Sequence, residues 1–131
     1  MNSNLLKYLI LTFFALLISC QKDNETVFEL IIGKWEWVKT IIPYGRQVSN
    51  PQTSGFSKTL EFMKDGKMNE YRNDSLITTS GYKIETDSST PNYYVLTNST
   101  IIGSHFYIVD DSLIFNEAYV DGPVSSYIRK N

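Results

Sequence analysis

A single cysteine, Cys20, and a single histidine, His105, are all that 131 residues offer to thiol or imidazole chemistry. No internal disulfide can form, a Cys/His zinc site lacks its ligands, and a nucleophile–histidine pair could draw only on His105. Charge is sparse too. Twelve basic and 14 acidic side chains give a formal net charge of -2, without the basic surface that a nucleic-acid binder needs. No phosphate loop, nucleotide fingerprint or internal repeat occurs, and the length admits one small domain. What is abundant is apolar and aromatic: 42% of residues are hydrophobic and 14% are Phe, Trp or Tyr.

The apolar residues are unevenly spread. Lys7 is the only charged side chain before an apolar run from Tyr8 to Ile18, which is shorter than the about 20 residues a bilayer-spanning helix needs and reads as a signal-peptide core. The run ends in Leu17-Ile18-Ser19-Cys20. This resembles the bacterial lipobox, in which the chain is cut before the cysteine and that cysteine is diacylated on sulfur. The resemblance implies a leader over residues 1–19, a lipid on Cys20, and attachment to a membrane without crossing it. Gln21-Lys22-Asp23-Asn24-Glu25 is similar to the export signal of Bacteroidota-type surface lipoproteins, which implies a tether over 20–25 and display on the outer face of the outer membrane. Removing residues 1–19, and with them Lys7, leaves 112 residues with 11 basic and 14 acidic side chains, so the net charge becomes -3.

The remaining chain, 26–131, reads as a β domain. Asn24 is a candidate cap for a short helix over 25–32, where Val27, Leu30 and Ile31 fall at helical spacing and Gly33 supplies the stop. The period then changes from 3.6 to 2: Trp35, Trp37 and Ile41 alternate with Lys34, Glu36 and Thr40, predicting a strand over 34–42 that ends at Pro43. Residues 43–57 show no apolar period and read as a long loop. Asp65-Gly66 between 58–63 and 67–71 predicts a hairpin with a primed turn. Further strands are expected over 76–79, 81–85, 93–98, 105–109, 112–119 and 124–129. Eight or nine short strands with at most one helix indicate an all-β, antiparallel meander that closes into a small barrel.

Gly33-Lys34-Trp35 after a short helical turn resembles the start of lipocalins and lipocalin-like lipoproteins. The similarity continues in order through Lys58 to Lys67, Gly81 to Ile84, Leu113 to Phe115 and Tyr127 to Arg129. It implies a lipocalin-like barrel of about eight strands whose base is built by Gly33 and Trp35, with Arg129 of the last strand over the indole.

Catalysis finds little support. His105 sits in the aromatic run Ser104-His105-Phe106-Tyr107 and reads as an ordinary strand residue, and the aspartates at 65, 74, 87, 110, 111 and 121 stand in expected turns. No enzyme activity, metal or cofactor is expected, and the chain is expected to be monomeric. The aromatic residues are the candidates for function. Trp37, Tyr71, Tyr82, Tyr94, Phe106, Phe115 and Tyr127 lie in separate expected strands, facing inward on this reading. They would either line a pocket for a small hydrophobic or aromatic ligand, with loop 43–57 as its gate, or pack on one another and fill the barrel. The alternative is a protein- or glycan-binding scaffold, for which Tyr44, Phe56, Tyr93 and Tyr119 would cluster on one exposed face.

Overall fold

The structure is a computed structural model that describes residues 26–44, 47–99, 101 and 103–131. The leader, Cys20, the tether and the expected Asn24 cap lie outside the described residues.

Helix α1 (Val27–Ile31) is capped by Thr26: its hydroxyl accepts from the Glu29 N–H while the Glu29 carboxylate accepts from the Thr26 N–H. This reciprocal pair satisfies two end donors and sets the helix start just after Thr26. Nine strands follow: β1 (Gly33–Ile42), β2 (Gln47–Ser49), β3 (Lys58–Phe62), β4 (Lys67–Arg72), β5 (Ser75–Thr86), β6 (Tyr94–Asn98), β7 (Ser104–Val109), β8 (Ser112–Asn116) and β9 (Val124–Lys130). Each of β3 to β8 pairs antiparallel with the next, and β9 pairs along β1 from Lys34↔Lys130 to Ile41↔Val124. That last ladder closes an eight-stranded meander barrel of lipocalin-like type, leaving no long open edge. β1 is shared. Its first half pairs with β3 and its second half with the extra strand β2.

Three local expectations are corrected. Residues 43–57 are not structureless, because they hold β2 and a one-turn helix, α2 (Pro51–Ser54). Asn50 caps α2 through a bond from the Thr53 N–H at 2.9 Å, Pro51 pre-sets its first turn and Gly55 ends it at φ +72°. Leu76 to Glu85 is not two strands but part of the single strand β5. Residues 117–120 leave the expected strand 112–119 and form a 3-10 turn, Ala118–Val120.

The first hairpin also turns differently. Gly66 donates to the Met63 carbonyl at 3.1 Å and takes φ +79°, while Lys64 and Asp65 keep negative φ, giving a three-residue loop in place of the primed turn. Both central residues of the next hairpin, Asn73 and Asp74, have positive φ, so the primed geometry is found there.

Period-2 alternation places Trp35 and Trp37, Leu60 and Phe62, Met68, Ser80 and Tyr82, Leu96, Ser104 and Phe106, Leu113 and Phe115, and Tyr127 inside. Trp35, Phe62, Met68, Leu96, Phe106 and Leu113 are each under 2% exposed. Burying a side chain of this kind contributes about 1.5–3 kcal/mol, so these residues dominate the apolar stabilisation. Ile31 of α1 joins the same core and plugs one end of the barrel, the base. The opposite end, where β1 and β4 finish and β3 and β9 begin, is the mouth.

Candidate functional site

Trp35 is fully buried at the base, and its Nε1–H donates to the Ile31 carbonyl at 2.7 Å. Arg129, its register partner on β9, lies with its guanidinium carbon 4.2 Å from the centre of the indole. The same guanidinium donates to the carbonyls of Ile32 at 3.0 Å and Leu30 at 2.6 Å, the unpaired C-terminal acceptors of α1. Gly33 has φ +124°, and a Cβ there would stand 3.2 Å from Arg129 Nη1. Any side chain would be strained by the backbone and would crowd the guanidinium. Gly33, Trp35 and Arg129 thus form one assembly that fastens the helix to the barrel.

Of the seven aromatic candidates, six point inward. Phe106, Phe115 and Tyr127 follow one another in contact, with ring centres 5.8 and 5.9 Å apart, and Tyr94 meets Phe106 at 5.7 Å. Tyr82 packs edge-on against Phe62 and donates its hydroxyl to the Met63 carbonyl. Tyr82 lies toward the base and Tyr94, Phe106 and Phe115 fill the middle of the barrel, while Tyr127, the register partner of Trp37, reaches the mouth. Trp37 stands higher: its Nε1–H donates to Thr40 Oγ1 at 3.0 Å, and its ring stacks on Phe56 at 5.7 Å.

Tyr71 is the exception, because its position on β4 is out of phase with Met68 and its ring lies on the outer wall. There its hydroxyl donates to Glu61 at 2.7 Å, beside Lys34 and Asn69. That bond is the main reason the Glu61 carboxyl is held below its ordinary value of 4.5. A depressed carboxyl stabilises the fold above its unfolded pKa, and that contribution disappears as pH falls through the folded pKa. Tyr71→Phe is expected to move the Glu61 pKa back up toward 4.5 and to remove this acid-range stabilisation. Titration of the Glu61 carboxyl carbon by NMR checks it.

The mouth contains residues that aromatic patterning did not single out. A recess of about 210 Å³ is lined by Trp37, Thr40, Phe56, Lys58, Arg72 and Tyr127, with Ser49, Ser54 and Ser125. A second recess of about 130 Å³ continues on the other side of Lys58 and Tyr127, toward Phe115, Glu117 and Ser104. The Ser104 and Glu117 side chains hydrogen-bond each other across it.

Lys58 pairs with Glu70 at 3.5 Å, and both side chains are mostly covered. Burial pulls the Lys58 pKa down, but the Tyr127 phenol and the Glu70 carboxylate outweigh it, so the net shift is upward and the ammonium stays charged. Burial pushes the Tyr127 phenol above its usual value, against the opposing pull of Lys58. Arg72 lies with its guanidinium 4.4 Å over the Phe56 ring and has no ion-pair partner among the described residues. The signal for these cations was available in the strand register. Lys58 is in phase with Leu60, and Glu70 and Arg72 are in phase with Met68, so all three face the barrel axis at its open end.

The four aromatics expected on one exposed face do not share one. Phe56 is stacked in the mouth, Tyr44 is exposed just after β1, and only Tyr93 and Tyr119 meet at a common recess on the outer wall. Comparison of the chain with protein-family models, with curated proteins and with solved structures finds no match.

Proposed function

We propose that the protein is a non-enzymatic binding module, held to the outer membrane by lipid on Cys20 and displayed at the cell surface, which takes a small aromatic ligand in the mouth of its barrel. The observation that carries the binding reading is the 210 Å³ recess walled by Trp37, Phe56 and Tyr127, where Lys58 is paired with Glu70 and Arg72 is left as the unpaired cation among the described residues. A dry cavity of about 150 Å³ holds a benzene molecule, so this recess has room for one ring and a small substituent. Arg72, beside the Lys58–Glu70 pair, makes an anionic substituent the favoured one, and the Thr40 and Ser125 hydroxyls, bonded to each other at 2.8 Å, keep one O–H between them to donate at the rim. The filled interior below excludes a long hydrocarbon ligand, so the ligand class narrows to single-ring acids. The lipid-anchor reading is supported by Leu17-Ile18-Ser19-Cys20 and by the absence of any second cysteine.

Phenylacetate is a suitable probe. Trp37 lines the recess whereas Trp35, the only other tryptophan, is sealed at the base. Saturable change in Trp37 fluorescence is expected with phenylacetate, and about tenfold weaker binding with Arg72→Ala, the loss of one charge-assisted contact. Equal affinity for neutral benzyl alcohol would refute the anionic preference, and no saturable response to either compound would refute the mouth as a ligand site.

A further inference from the structure

A recess of about 350 Å³ lies away from the mouth. It lies on the outer wall, between the β5–β6 loop, the outer face of β7 and β8, and the 3-10 turn. Its lining is Asp87, Ser89 and Thr90 from the loop, Tyr93, His105 and Asn116 from the strand region, and Ala118 and Tyr119 from the turn. Inward-facing Phe106 has no exposure, so its neighbour His105 faces outward.

Two features set the chemistry. The first is a wall of rings with free faces: Tyr119 is 62% exposed and meets the His105 ring at 4.5 Å, while Tyr93 is braced against Tyr107 at 5.0 Å. The second is a set of fixed polar groups around those rings. The Asp87 carboxylate is already occupied, accepting from the Ser89 N–H at 2.8 Å and hydroxyl at 2.6 Å and lying 3.3 Å from His105 Nε2. It therefore orients His105 and gives a cation little to bind. The Tyr93 hydroxyl accepts from Asn116 Nδ2 at 3.3 Å and keeps its own proton to donate. Asn116 uses its oxygen on the Ala118 N–H at 3.1 Å and keeps its second amide hydrogen.

We infer that this outer recess is a binding site for a neutral saccharide. A pyranose presents an apolar face of C–H groups bordered by hydroxyls, which matches an exposed ring bordered by uncharged donors and acceptors. The volume falls at the small end of ligand sites and fits one or two sugar rings. A purely apolar ligand would leave the Tyr93 and Asn116 donors unpaired as it covered them.

His105 is the only histidine, so its imidazole gives a single, unambiguous NMR signal from the full protein. The probes are cellobiose, maltose, lactose and N,N′-diacetylchitobiose, each titrated separately. At least one is expected to shift the His105 signal saturably in the millimolar range. Tyr119→Ala, at an exposed position, is expected to weaken that binding about tenfold, and Tyr119→Phe to retain it. Prior saturation of the mouth with phenylacetate should leave the sugar response unchanged, which separates this site from the mouth reading. No saturable shift with any of the four sugars overturns the inference. So does unchanged affinity in Tyr119→Ala, or a response to adenosine that the sugars do not produce.

Discussion

Trp35→Ala is expected to cost about 3–5 kcal/mol of folding stability, the range for truncating a buried large aromatic. At about 4–8 °C per kcal/mol for a domain near this size, the Tm should fall by at least ~12 °C. The indole is fully buried, so its removal opens a cavity where α1 meets the strands. Two further losses come with it. The Ile31 carbonyl loses its donor, and Arg129 loses the ring face beneath its guanidinium. The guanidinium that remains is still committed to the Leu30 and Ile32 carbonyls, so the damage spreads to the helix end. Trp35→Phe keeps a ring but loses the hydrogen bond and part of the volume, and should cost about 1–2 kcal/mol. Urea denaturation followed by circular dichroism measures both. A Trp35→Ala protein within about 1 kcal/mol of the parent would show that the base assembly does not hold the barrel together.

The barrel was legible because its strands carry a clean period of 2 with strong turn signals between them. Trp35 and Trp37 alternating with Lys34 and Glu36 placed β1 within one residue of its observed start. The misreadings came from glycines and caps taken out of their three-dimensional setting. Gly81 looked like a break between two strands, yet a Cβ there would meet only the Gly66 carbonyl at 3.9 Å, and the strand runs straight through it. Asn50-Pro51 and Gly55 did carry a helix signature, a cap, a first-turn proline and a left-handed stop, but the helix they frame is one turn long and has no apolar face to reveal it. Tyr71 was misplaced for a different reason. Tyr71 and Asn69 are both outward, while the inward positions of β4 beyond Met68, Glu70 and Arg72, are charged, so polarity at the mouth reversed the usual inside-out pattern. The same reversal hid Lys58 and Arg72. Aromatic content found the core, whereas the mouth is defined by charges placed where core residues would ordinarily stand.

Cys20→Ala is expected to abolish membrane attachment altogether, the second large effect. A sulfur-linked diacyl group buries many methylenes at about 0.8 kcal/mol each, and two chains hold where a single chain gives only marginal, reversible binding. Alanine offers no sulfur to acylate, so the lipid mass should vanish and the protein should pass from the detergent phase to the aqueous phase on phase separation. Mass spectrometry distinguishes this from retention of an uncut leader, which would keep the variant membrane-bound with residues 1–19 still attached. Unchanged mass and unchanged partition in Cys20→Ala would refute the anchor. The geometry gives the anchor a consequence for binding. On the proposed anchor, residues 20–25 can span at most about 3.3–3.6 Å each, so Thr26, at the base beside α1, would lie within about 20 Å of the lipid. The mouth opens at the opposite end of the barrel from that attachment. A protein anchored this way presents Trp37, Lys58 and Arg72 away from the membrane, where a small water-borne acid reaches them without crossing the lipid headgroups.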